Sequence, residues 1–222
     1  MDWGCHLSVV LISLLIKMPP LARQKQLALA LPKWGGRRAG AGRKRKDGRV
    51  LPPGISHLRR EGLASRHPVH VTLKLRERLP SLRSSSGFAA VFGALQHGSL
   101  RAGFRVVHFA ALRDHVHLVI EAKDGVSLSR GVQGLCVRIA RGINRSLGRP
   151  GPVFADRYHA HVLKTPTEVR RAVKYVQENF ARHEARVGRA LEADYVDALS
   201  SRTLPAWEPR TWLLRIGWRR GG

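Results

Sequence analysis

Asp114-His115-Val116-His117-Leu118-Val119-Ile120 restricts the fold more than any other stretch of this chain. Polar and apolar residues alternate, and an apolar run follows. Period 2 belongs to a β-strand, on which His115 and His117 point to the same face. Two imidazoles side by side on a rigid strand can hold one divalent ion. They can equally decorate the polar face of a half-buried strand, and the stretch alone leaves both readings open.

The flanking periodicities supply the rest of a domain. Val69, Val71, Leu73 and Leu75 alternate with His70, Thr72 and Lys74, which predicts a strand. Phe88, Val91, Phe92 and Leu95 recur at helical spacing after serines able to cap a helix. Residues 104–112 read as a second strand, and the short joint Arg113-Asp114 favours an antiparallel hairpin with the histidine strand. Asp124-Gly125 leads into a long helix with Leu128, Val132, Leu135, Ile139 and Ile143 as its core stripe. Residues 153–163 contain a fourth strand. Thr165-Pro166-Thr167-Glu168 then starts a last helix, with Thr165 as N-cap, Pro166 at the first helical position and Glu168 closing a capping box. Its expected buried stripe is Val169, Ala172, Val173, Val176 and Phe180, with Tyr175 and Asn179 one turn apart beside it.

This order predicts an α+β protein of ferredoxin-like βαββαβ arrangement, with an extra C-terminal helix carrying the tyrosine. Four antiparallel strands would have helices on one face and leave the other free for a ligand. The histidine strand would be central.

Composition points to the partner. Forty Lys and Arg against fifteen Asp and Glu give a net charge of +25 over 222 residues. Such a field attracts polyanions, nucleic acid first among them. Arg37, Arg38, Arg43, Lys44, Arg45 and Lys46 lie among glycines, a composition suited to following a nucleic-acid groove and expected to be disordered alone. Arg138 and Arg141 lie off the core stripe of the long helix and are candidates for phosphate contact. The two cysteines, Cys5 and Cys136, suggest no disulfide framework, which fits a reducing cytoplasm. The apolar stretch 7–16 is shorter than the ~20 residues a membrane span needs, so no membrane partner is expected. Met18 is the expected true start.

The motifs carry a resemblance. His115-Val116-His117 with its apolar run resembles the HUH motif, and Tyr175-Val176-Gln177-Glu178-Asn179 resembles the Tyr-apolar-x-x-Asn segment of single-tyrosine HUH transposases. Residues 65–185 are most similar to the REP-associated tyrosine transposases. The resemblance implies His115, His117 and Asn179 as ligands of Mg²⁺ or Mn²⁺, and Tyr175 as nucleophile. It implies cleavage and rejoining of single-stranded DNA beside hairpins through a 5′-phosphotyrosine, by a monomer or a homodimer associated with the nucleoid. The family often has Asn-Pro where this chain has Asn179-Phe180, which lets the helix continue past the ligand.

Other readings stay open. His159-Ala160-His161 is a second H-x-H, with Tyr158 before it, and Tyr195 is a further tyrosine. His67, His70 and His108 could join the first pair in a structural zinc site. Trp207, Trp212 and Trp218 alternate with arginines in a manner suited to stacking on bases, while Leu204, Leu213, Leu214 and Ile216 favour docking on the core. Three regions result: an extension over 1–64, the domain over 65–185 and a tail over 186–222.

Overall fold

A computed structural model describes residues 62–189, 191–192, 194–204 and 207–220. The basic segment with Arg37, Arg38, Arg43, Lys44, Arg45 and Lys46, the stretch 7–16 and Met18 lie outside the described residues. In chain order the elements are β1 (Val69–Lys74), α1 (Ser85–Gly98), β2 (Leu100–Arg101), β3 (Phe104–Ala111), β4 (His115–Ala122), α2 (Gly125–Ser146), β5 (His159–Val162) and α3 (Pro166–Arg186). A π-helical turn (Leu213–Gly217) then runs into α4 (Trp218–Arg220).

Local signals fix the helix starts. Ser84, Asp124 and Thr165 are the N-caps of α1, α2 and α3, each side chain accepting a backbone N–H three residues on. At Thr165 the capping box is complete, since Glu168 accepts the Thr165 N–H in return.

The strands form one antiparallel sheet in the order β2-β3-β4-β1-β5. The histidine strand β4 is central, between β3 and β1. Alternation divides its side chains between two cores. Val116, Leu118 and Ile120 join Val69, Val71 and Leu73 of β1 under α1 and α2. Gly131 allows the close approach of α2 to the sheet, because a Cβ there would lie 2.1 Å from the ring of buried Phe104.

Two expectations need correction: the strand count and the free second face. The sheet has five strands, because Leu100-Arg101 pairs with the start of β3 as a short edge. The strand expected within residues 153–163 is β5; in the Gly- and Pro-rich run before it, Phe154 makes a single bridge to Leu75. The second face of the sheet is not free. Val169, Ala172, Val173 and Val176 of α3 pack there on Val107, Ala110, Val119 and Leu163, joined by Leu213 and Leu214 from the tail. The apolar stripe of α3 requires such cover, at about 1.5–3 kcal/mol for each fully buried Val or Leu, and α1 and α2 already fill the other face. Within α3, Asn179 is buried at 1% exposure while Phe180 is only half-buried.

The tail is anchored by backbone pairing to the free edge of β3: Ala111 N–H donates to Leu199 O and Ser201 N–H to Phe109 O. Buried Glu121 of β4 accepts from the backbone N–H groups of Arg210 and Thr211 and from the Thr211 hydroxyl, which fixes the entry to the π-helical turn. Among the described residues no helix is long and apolar enough to cross a membrane.

His108 of β3 gives this fold an acid limit. Burial pushes its pKa down to about 4, against the pull of Glu121. An unfolded histidine takes up its proton near pH 6.5. Stability should therefore be complete above pH 6.5 and decline as the pH falls from there towards 4. His108 alone should cost about 2 kcal/mol at pH 5. Urea unfolding at pH 7 and pH 5 should show this loss, and His108→Phe should reduce it.

Candidate active site

Strand β4 and helix α3 bring their polar residues together within one chain. The register sets Thr72 of β1 opposite His117 and Lys74 opposite His115. His70 pairs across with His161 of β5, and Thr72 with His159. All these side chains share the face covered by α3. The His115 and His117 rings stand edge to face, centroids 4.8 Å apart. The Tyr175 ring lies edge-on to His117 at 5.1 Å and to His70 at 5.8 Å. Asn179, one turn further, is buried, and His183, another turn on, is 5.5 Å from His115. Residues at i, i+4 and i+8 of α3 thus follow the histidines of the sheet.

The ring nitrogens are oriented by their neighbours. His115 Nδ1 is 2.7 Å from Asp114 Oδ1. His117 Nδ1 is 3.1 Å from Thr72 Oγ1 and 3.2 Å from His70 Nε2. The assignment that lets His117 donate to either neighbour puts its proton on Nδ1 and leaves the lone pair on Nε2. Burial, then the charges of His115, His70 and His183, lower the His117 pKa to about 2. Burial, then His159 and His161, lower that of His70 to about 4. Both imidazoles are therefore neutral at pH 7, the state a metal ligand requires.

Two buried polar atoms facing this site have no hydrogen-bond partner: His117 Nε2 and Asn179 Nδ2. The two ends of an amide exchange by a flip, so the unpartnered end of Asn179 can equally be its oxygen. A divalent ion would satisfy both groups, with neutral imidazole and amide oxygen as its donors. The residues present fit the group. Among the described residues no three His, Cys, Asp or Glu converge for a metal; beside the two histidines, the Asn179 amide would be the third protein donor. The hydroxyl of Thr72 then matters at one remove. Thr72→Val should weaken Mn²⁺ binding by about 10–100-fold while preserving the fold, which a titration followed by electron paramagnetic resonance would measure.

Other expected residues lie elsewhere. Arg138 and Arg141 are on α2, across the sheet from Tyr175, and Arg138 donates to Gly134 O. His159 and His161 share the site's face of the sheet but lie exposed on its edge strand, β5. Tyr158 contacts the Ser129 hydroxyl at 3.0 Å on the α2 side. Tyr195 packs near Phe180. Sequence reasoning gave no site role to Thr72 or His183 and gave His70 only to a zinc cluster. The alternation of β1 was the available signal, since a polar face beside a histidine strand shares its side of the sheet.

A family model described as "Transposase IS200 like" matches residues 65–179, just over half of the chain. No curated protein matches the chain. Among solved structures, the chain is similar to a REP-associated tyrosine transposase bound to a REP hairpin, at 17% identity and a TM-score of 0.50, over 70% of this chain and 93% of that one. It also matches a candidate transposase from Deinococcus radiodurans R1 at 14% identity and a TM-score of 0.37, over 64% of this chain and 100% of that one.

Proposed function

The chain belongs to the IS200-like transposase family, and from that premise we propose that it is a metal-dependent tyrosine transposase. It would cut and rejoin single-stranded DNA beside hairpins through a 5′-phosphotyrosine intermediate. The observation that carries this reading is the Tyr175 ring 5.1 Å from that of His117 in the same chain, with Asn179 buried one turn along. The fold-mate bound to a REP hairpin and the charge of +25 support DNA as the substrate.

His115 and His117 would supply two nitrogen ligands and Asn179 an amide oxygen. Lewis acidity at the scissile phosphate and at the departing 3′-oxygen is the chemistry that Mg²⁺ or Mn²⁺ supplies when bound there. Tyr175 supplies the nucleophile. A phenol of pKa near 10 is weak at neutral pH, so it loses its proton as it attacks. The Tyr175 oxygen bonds to phosphorus, the bond from phosphorus to the 3′-oxygen breaks, and that oxygen takes up a proton. One strand leaves with a 3′-hydroxyl; the other stays esterified to Tyr175 through its 5′-phosphate. One phosphodiester replaces another, so a second 3′-hydroxyl can reverse the step and join a different strand.

Beside Tyr175 lies a cavity of about 560 Å³ whose lining includes His70, His161, Arg171, Lys174 and Arg182. Its acidic member, Glu168, accepts the Lys164 and Thr165 backbone N–H groups. Lys174 and Arg182 both pair with Glu178, and with Arg171 the flank that the strand would meet as it passes the nucleophile keeps a net positive charge.

A hairpin oligonucleotide with a single-stranded extension, labelled at one end or the other, tests the reading in the presence of Mn²⁺. The 5′-side fragment should leave with a 3′-hydroxyl that a polymerase can extend, and the 3′-side fragment should remain with protein on a denaturing gel. Release of both fragments free of protein, or no cleavage across a broad set of hairpins, would overturn it.

A further inference from the structure

We propose that Arg83, Phe180 and Asp197 are positioning residues that lock the tyrosine helix onto the histidine strand of its own chain. The proposal rests on the reading of Tyr175 as nucleophile. Arg83 lies between β1 and α1, and its guanidinium makes three kinds of contact. It sits 3.5 Å over the ring of Phe180, the residue after Asn179. It bonds both oxygens of Asp197, at 2.9 and 3.2 Å. It also donates to Ala111 O at 2.9 Å. The adjacent Leu82 N–H donates to Arg113 O, so the same loop holds the turn that leads into His115.

One side chain therefore joins three parts that surround the site. Phe180 fixes α3 beside the candidate ligand Asn179. Ala111 O fixes the end of β3 just before the histidine strand. Asp197, 3% exposed, fixes the returning tail. The tail is itself held, since Asp197 accepts the Leu199 N–H and the Ser200 hydroxyl donates to Asp197 O. Tyr195 packs on the same Phe180 ring, at 5.9 Å. A planar fork bonded to a carboxylate and stacked on an aromatic ring fixes orientation as well as distance. Reacting atoms need near-attack separation, and a displacement of about 1 Å can cost about a hundredfold in rate. The apolar stripe buries α3, but the contacts of Arg83 set how its second half lies relative to β4.

Two variants test this: Phe180→Leu, and Arg83→Met combined with Asp197→Leu so that no buried carboxylate is left unpaired. Single-turnover adduct formation at saturating hairpin DNA and Mn²⁺ should slow about 10–100-fold. The final amount of adduct should match wild type, and DNA affinity in a Tyr175→Phe background should be unchanged. A merely structural role would lower the amount of adduct and leave the rate constant alone, and that result overturns the proposal. A second readout is independent of catalysis. With 3-fluorotyrosine at position 175, fluorine NMR should give one sharp resonance in the otherwise wild-type protein and a broadened or split one in both variants. An unchanged resonance would also overturn it. If the wild type forms no adduct, the proposed function fails, and the resonance alone decides the clamp.

Discussion

Tyr175→Phe will leave the protein folded and bound to DNA, and unable to form the covalent adduct. The change removes one oxygen from a half-buried ring that packs against the second core and stands edge-on to His117. The ring contacts survive, so unfolding free energy should stay within about 0.5 kcal/mol of wild type. Affinity for hairpin DNA should also persist, because the cationic flank of Arg171, Lys174 and Arg182 is untouched. Cleavage should fall by more than about a thousandfold, as removal of a nucleophile does elsewhere. A filter-binding assay and a denaturing gel on the same preparation would separate the two effects. Loss of binding along with cleavage would mean that the residue holds the strand instead of attacking it.

His117→Ala is expected to be as damaging by a different route. His117 is 4% exposed, and its Nε2 is one of the two unpartnered atoms at the site. Mn²⁺ affinity should drop by more than about a hundredfold, beyond the effect of losing an outer partner alone, and cleavage should fall to background. Stability should fall by about 1–3 kcal/mol, because loss of the ring leaves a cavity and the Thr72 hydroxyl and His70 lose their partner, so metal affinity is the readout that isolates the ligand role. The comparison is His159→Ala. That histidine belongs to the second H-x-H and is exposed on β5, so its loss should leave Mn²⁺ affinity within about twofold. Calorimetric titration of both variants distinguishes the two motifs. Equal losses would move the metal away from β4.

The parts of this arrangement legible in the sequence were local ones. The alternation over residues 115–120 fixes a strand and a shared face for two histidines. The run Thr165-Pro166-Thr167-Glu168 fixes a helix start, and that start fixes where Tyr175 and Asn179 fall. The order of elements then made β4 central. What could not be read depends on contacts between distant residues. Arg83 meets Asp197 across 114 positions, and Glu121 meets Thr211 across 90. No periodicity records such pairs. The covered second face was missed for a related reason. The stripe of α3 showed that it must be buried, but not against which side of the sheet. Asn179 read as a residue at the edge of that stripe, whereas the turn of the helix places it inward and leaves Phe180 to Arg83.

The central claim is that Tyr175, and no other tyrosine, carries the DNA. The most direct measurement is proteolysis of the trapped adduct, followed by nuclease trimming and mass spectrometry of the peptide that retains a nucleotide. The account predicts one modified peptide containing Tyr175, with the phosphate joined to the phenol and to the 5′-carbon of the nucleotide. A nucleotide on Tyr158 or Tyr195, or a 3′-linked one on Tyr175, would contradict it.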